Sequence, residues 1–262
     1  MSYTCIEVLH TSPERTEVWL NRPDVRNAFN DAMIAELTQA FSDIARDPHV
    51  RVVLLTGHGK AFCAGADLNW MRAMADYSWE QNRADAQGLA DVLWTLDQCP
   101  VPIVGRLHGD CYAGGMGLAA VCDVRLASAS MQFCLSEARL GLMPATISPY
   151  VVRAMGARAA HRYFLTAERF DAHEAHRIGL VHEVVSPEAL DAQVAEWVRA
   201  LVSASPNAVK ACKKLLHDVA EREINATLIR QTVEGIADIR ASSEGKEGVQ
   251  SFLQKRKPDW LV

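Results

Sequence analysis

The sequence of 262 residues has no basic run longer than Lys255–Lys257: its 27 Lys and Arg are otherwise scattered among 32 Asp and Glu, giving a formal net charge of −5. Recognition of a phosphate backbone needs a concentrated positive face, so nucleic acid is not expected as a partner. A small site for an anionic ligand passes this test. No CxxC pair occurs among the seven cysteines, Cys5, Cys63, Cys99, Cys111, Cys122, Cys134 and Cys212. An odd, dispersed set makes neither a disulfide framework nor a zinc site, and it fits a reducing compartment, expected to be the cytoplasm. The segment MSYTCIEVLH lacks a basic start followed by an apolar core, so no secretory signal is expected. No apolar run approaches the roughly 18 to 20 residues of a membrane helix, and no membrane partner is expected. The G-x-S-x-G elbow, the HExxH pair and the P-loop are all missing, which argues against a serine hydrolase, a zinc hydrolase and a Walker-type nucleotidase. His173 and His176 in HEAHRIG read as exposed helix residues, and no metal site is expected.

What is present is an ordinary globular composition, 49% hydrophobic and 23% charged. A chain of this length buries roughly 70 to 75% of its unfolded surface, enough to fold without disulfide or metal. Strand-like and helix-like segments alternate through the first two thirds. Glu17–Leu20 reads as a strand, followed by the turn residues Asn21, Arg22, Pro23 and Asp24. Asn30 is placed to cap a helix carrying Met33, Ile34, Leu37, Phe41 and Ile44 at helical spacing. Val50–Leu55 is a buried strand, Trp79–Leu96 a long helix and Val101–Leu107 the next strand. Gly114–Val121 opens a helix, and Val124–Ala127 and Gln132–Leu135 read as short strands. Strands separated by helices imply parallel pairing with right-handed crossovers, an α/β core. From Pro187 the pattern is helical only, over 190–202, 206–219, 223–239 and 244–253. The expected division is a core over 1–186 and a helical region over 187–262.

Two glycine-rich turns each follow a buried strand: GHGKAFCAGADL over 57–68 and GDCYAGGMGL over 109–118. Small residues at such junctions leave backbone N–H groups uncovered, so a ligand oxygen can approach them. Either turn alone reads rather as a tight connection needing φ > 0. Together they can place two donors on one oxyanion, the arrangement that stabilises an enolate. Gly115, Gly117 and Ala120 also match G-x-G-x-x-A, with Glu137 twenty residues beyond Gly117. That dinucleotide reading is set aside, because the helix ends by Asp123 and the first glycine-rich turn stays unexplained. Glu137, in FCLSEARLGLMPA, is the candidate acid/base: apolar flanks raise a carboxyl's pKa toward neutrality. The alternative for Glu137 is a helix-opening glutamate after Ser136.

KAFCAGADL, HGDCYAGGMGLAAVCD and FCLSEARLGLMPA together resemble the crotonase family of enoyl-CoA hydratases and isomerases. WLNRPDVRNAFN, YFLTAERFDAHEAHRIGLVHEVV and EGKEGVQSFLQKRKP extend the resemblance over essentially the whole chain. DLNWM and RLGLMPATISPYVVRAMG look most like bacterial methylglutaconyl-CoA hydratases of leucine breakdown, and almost as much like γ-carboxygeranoyl-CoA (isohexenylglutaconyl-CoA) hydratases of acyclic terpene breakdown. The resemblance implies a ββα spiral with a helical C-terminal trimerisation region, assembled as a homotrimer or homohexamer. It implies an acyl-CoA thioester substrate and no separate cofactor, coenzyme A being part of the substrate. The N–H groups of Ala66 and Gly114 would hold the thioester oxygen. Ala64 would contact the adenine, with Asp67 of the same motif among the substrate-binding residues, and Arg26 would lie near the nucleotide phosphates. Phe252 and Lys255 would close over a neighbouring subunit's CoA. Trp70, Met71, Met74 and Tyr150 are placed either to line an acyl pocket or to pack in the core. Family hydratases commonly carry a second glutamate at the position held here by Gly117. Its absence implies that Glu137 works alone, with isomerisation or thioester hydrolysis as the runner-up to hydration.

Overall fold

The computed structural model describes residues 3–261; Met1 and Ser2 of the N-terminal segment read above, and Val262, lie outside it. Strands β1 (Ile6–Ser12) and β2 (Arg15–Leu20) form an antiparallel hairpin. Helix α1 (Asp31–Arg46) starts where expected, with the Asn30 carboxamide oxygen accepting the Met33 N–H at 2.9 Å. Met33, Ile34, Leu37, Phe41 and Ile44 are its buried face. Strand β3 (Val52–Gly57) is buried along its whole length, as a strand covered on both faces must be. Then follow β4 (Ala61–Cys63), α2 (Leu68–Met74), α3 (Trp79–Asp97), β5 (Ile103–Leu107), β6 (Asp110–Tyr112) and α4 (Gly114–Ala120). The remainder of the mixed region is β7 (Val124–Ser128), β8 (Gln132–Cys134), α5 (Ser148–Thr166), β9 (Arg169–Asp171), α6 (Ala172–Arg177) and β10 (Glu183–Val185).

The strands form two sheets. The larger has the order β1-β2-β3-β5-β7-β10, parallel from β2 onward, and the smaller has the order β4-β6-β8-β9. From β3 to β8 each turn of chain lays one strand in the large sheet and the next in the small one. A helix then returns, so the α/β spiral of ββα units expected above is the observed architecture. Apart from β8, read above as the strand Gln132–Leu135, the small sheet is the part that the sequence pattern does not show. Its strands β4 and β6 lie inside the two segments read as glycine-rich turns. Three residues are too few to display a period of two, and β4 is buried throughout, so nothing marks it as a strand.

Beyond Val185 the regular elements are helical: α7 (Leu190–Ser203), α8 (Pro206–Val219), α9 (Ala226–Ala241) and α10 (Ser243–Leu253). Pro206 opens α8, where a missing N–H costs nothing. The change of pattern at Pro187 does not separate α7 from the core. Leu190, Val194 and Val198 pack on Val52, Leu54, Val104 and Leu126, covering the second face of the large sheet. Helix α8 is tied down by a buried lysine: Lys213 Nζ donates to Asp123 Oδ2 at 2.7 Å and to the Val101 carbonyl at 3.4 Å. Among the described residues no helix is long and apolar enough to cross a membrane.

The Lys213–Asp123 pair yields a stability prediction. Replacing Lys213 by Ala leaves a carboxylate without its partner, and breaking such a pair costs about 3 kcal/mol. The urea unfolding midpoint of Lys213→Ala is expected to fall accordingly, with far-UV circular dichroism unchanged before the transition.

Candidate active site

The first glycine-rich turn crosses the segment before α1 through a contact one residue long. Phe29 and Ala66 form an isolated parallel bridge. The Phe29 N–H donates to the Gly65 carbonyl at 2.7 Å, and the Asp67 N–H donates to the Phe29 carbonyl at 2.8 Å. In a parallel bridge of this kind the two bonds use the residues flanking Ala66. Its own N–H therefore points to the opposite side, and it has no acceptor among the described residues. Gly65 makes the turn possible. Its φ is +94°, and a Cβ there would stand 3.0 Å from the Cβ of Ala113.

Ala113 belongs to the second turn and is itself strained, with φ 47° and ψ −121°. Its N–H donates to the Cys134 carbonyl at 2.8 Å, which fixes the turn to β8. The next residue, Gly114, opens α4, and its N–H likewise has no acceptor among the described residues. A Cβ on Gly114 would lie 3.3 Å from the Phe29 ring. Phe29 thus holds Ala66 by backbone bonds and touches Gly114 with its ring, so one buried residue ties the two turns together. Two unpaired N–H groups on abutting turns can bind one oxygen that becomes negative during a reaction.

Glu137 lies three residues beyond Cys134, whose register partner in β6 is Tyr112. It opens a short 3-10 turn, Glu137–Leu140, so the structural alternative for this residue also holds. However, its Oε2 is buried and has no hydrogen-bond partner among the described residues. Burial raises its pKa above the usual 4.5, partly offset by its own backbone N–H. A carboxyl that only caps a turn has no need of an unbonded, buried oxygen. Two unpaired N–H groups and a buried carboxyl of raised pKa are groups that can together form and quench an enolate.

The enoyl-CoA hydratase/isomerase family matches residues 16–261. The chain belongs to that family. An enoyl-CoA hydratase of Alternaria alternata is 34% identical over 239 residues, 90% of this chain and 77% of that protein. A crystal structure of an enoyl-CoA hydratase from Shewanella pealeana superposes with a TM-score of 0.94 at 41% identity, covering 98% of this chain and 96% of the other. The Pseudomonas aeruginosa protein AtuE does so with a TM-score of 0.94 at 35% identity, covering 99% and 100% of the two chains. The protein is an enzyme of the enoyl-CoA hydratase type with the crotonase fold.

The remaining residues named from the sequence fall in four places in this family member. Arg26 and Ala64 come together beside the oxyanion turn: the Ala64 N–H donates to the Arg26 carbonyl at 3.0 Å, and the Arg26 guanidinium meets Asp110 Oδ2 at 3.0 Å. Asp67 is buried and caps α2. Met71 and Met74 are half-buried on α2, while Trp70 packs against the core and donates its indole N–H to Asp85 at 2.8 Å. Tyr150 packs against the core beside Arg153, whose guanidinium lies over its ring, and burial with the nearby Asp97 raises the tyrosine's pKa. Phe252 is 81% exposed and Lys255 exposed, at the end of an α10 that packs on α8 and α9. Phe29 and Ile147 escape the sequence reading, since an apolar residue at a bridge or a helix start looks like any core residue.

Ile147 explains the glycine at 117. A Cβ on Gly117 would sit 2.4 Å from Ile147 Cγ2 and 2.9 Å from Ile147 Cβ, so this side chain fills the space a residue at 117 would enter. Overpacking of this kind costs about 1 to 3 kcal/mol. Gly117→Ala is expected to lose that much stability in thermal melts. Adding Ile147→Ala is expected to give a double variant less destabilised than the sum of the two singles.

Proposed function

We propose that the protein adds water across the 2,3 double bond of a branched or carboxylated 2-enoyl-CoA, of the methylglutaconyl-CoA or isohexenylglutaconyl-CoA type. The thioester oxygen accepts the N–H groups of Ala66 and Gly114. One oxygen of the Glu137 carboxylate takes a proton from water as the hydroxyl adds to Cβ, and the displaced π electrons move onto the thioester oxygen as an enolate. The Glu137 carboxyl then delivers that proton to Cα. The enolate collapses, and the carboxylate is regenerated. The buried, unbonded Oε2 of Glu137 is the observation that carries this reading. The branched or carboxylated acyl group rests on the likeness of DLNWM and RLGLMPATISPYVVRAMG to hydratases of leucine and acyclic terpene breakdown. No separate cofactor enters any step, because coenzyme A is part of the substrate.

Isomerisation of a 3-enoyl-CoA is the second reading, favoured by Ile147 filling the space beside Gly117. A single carboxyl can move one proton from Cα to Cγ without water. We also propose a homotrimer or a dimer of trimers in the cytoplasm. Ile229, Val233 and Ile236 on α9 and Val249, Phe252 and Leu253 on α10 are exposed apolar side chains that subunit contact would cover, and the cysteines are free thiols. In that assembly Phe252 and Lys255 close over a neighbour's CoA.

The test is incubation with 3-methylglutaconyl-CoA, isohexenylglutaconyl-CoA and crotonyl-CoA, each scored by mass spectrometry for gain of one water. Uptake on a carboxylated substrate with crotonyl-CoA poor is expected. No uptake on any of them overturns hydration, and 3-enoyl-CoA substrates then test isomerisation.

Two further outcomes follow from Glu137. Glu137→Gln is expected to lower the hydration rate by about a hundredfold or more. The carboxyl must be ionised to take a proton from water, so activity falls as pH drops through its pKa. Because burial raises that pKa above 4.5, the acid limb of kcat/KM lies higher than for an exposed glutamate. The residual activity of Glu137→Gln is expected to lack that limb.

A further inference from the structure

We propose that Arg22 is a positioning residue for the oxyanion donor at Ala66, an inference that rests on the hydratase reading above. Its guanidinium spans the two segments joined by the Phe29–Ala66 bridge. Nη1 donates to the carbonyl of Ala28, the residue before Phe29, at 2.5 Å. Nη2 donates to Oδ2 of Asp67, the residue after Ala66, at 2.7 Å. The same fork therefore holds both chains next to the one pair of residues whose alignment aims the Ala66 N–H. A planar guanidinium can do this with both ends fixed at once, whereas an ammonium on a flexible stem cannot.

The clamp is anchored at each end. The Arg22 N–H donates to Asn27 Oδ1 at 2.9 Å, and the carboxamide of Asn27 donates to the carbonyls of His58 and Ala61, each at 2.9 Å. Arg22 is thereby fixed to the junction between β3 and β4. On the other side, Asp67 Oδ1 accepts the N–H groups of Asn69 at 2.8 Å and Trp70 at 3.4 Å, so the carboxylate that Arg22 grips also caps α2. Burial opposes ionisation of Asp67, but Arg22 and these two N–H donors outweigh it and hold the carboxyl below its usual range. Both side chains are largely buried, at 19% and 7% exposure, so water competes little for the pair. The bridge itself has two backbone hydrogen bonds. Loss of the fork leaves those two to resist rotation of the turn.

A positioning role differs from a purely structural one in what it moves. A misplaced donor binds the ground-state thioester nearly as well but stabilises the enolate less, so kcat falls while KM holds. The test uses Arg22→Lys, which keeps the charge and loses the fork, and Asp67→Asn, whose amide oxygen still caps α2. Each is assayed for hydration, for thermal stability, and for the absorption band of bound cinnamoyl-CoA. That conjugated thioester shifts to the red when its carbonyl is polarised. The expected result is a loss of about 10- to 100-fold in kcat, the scale set by small misplacements of catalytic groups, with KM little changed and a smaller red shift than the parent enzyme's.

A full red shift and parental kcat in both folded variants overturn the proposal, and so does a lowered melting temperature with the red shift intact. If neither variant folds, Arg22 is a stability element and the proposal fails. A parent enzyme that neither shifts cinnamoyl-CoA nor hydrates any substrate instead removes the hydratase reading, independently of what the variants do.

Discussion

Most backbone N–H groups of a folded chain are paired, and the candidate site depends on two, on the half-buried residues Ala66 and Gly114, that the fold leaves without a partner among the described residues. The Phe29–Ala66 bridge satisfies Phe29, Gly65 and Asp67, and in doing so it turns the Ala66 N–H outward. The strained turn at Ala113 does the same for Gly114. Neither donor could be left open on an isolated loop with its geometry preserved. They are held because β3 and β5 lie side by side in the large sheet and carry their following turns to the same level. Strands β4 and β6 then pair in the small sheet and bring those turns into contact.

The same packing places the carboxyl to which the proton chemistry is assigned by proposal. Glu137 follows the end of β8, the next strand of the small sheet, so one sheet positions both glycine-rich turns and the proposed acid/base. Its pKa rises because the carboxyl is buried, and its Oε2 has no hydrogen-bond partner among the described residues. Ile147 completes this arrangement from the start of α5. By filling the space beside Gly117 it seats α5 against α4, whose first residue supplies the second N–H.

The C-terminal helices divide into two roles along the chain. Helix α7 belongs to the core, and α8 is fastened to it through Lys213. Helices α9 and α10 bury little of their own and expose a row of aliphatic and aromatic side chains. A surface of that kind is costly in water unless another surface covers it.

Much of this could be read from residue order alone. Spacing of apolar residues located α1, α3 and the long strands, Asn30 marked a helix start, and the two glycine-rich turns identified where donors would be uncovered. Glu137 was visible as a carboxylate in apolar company. These features are local, and local chemistry determines them. The sequence could not decide that β4 and β6 are strands, since three residues carry no periodicity. Nor could it single out Phe29, Ile147 or Arg22, which look like a core residue, a helix start and a turn residue. Their importance comes from partners 30 to 45 positions away, Ala66, Gly117 and Asp67. Only the folded chain brings such groups within bonding distance. The sequence by itself therefore determined which groups are candidates for the chemistry, and the tertiary structure decided how they are aimed.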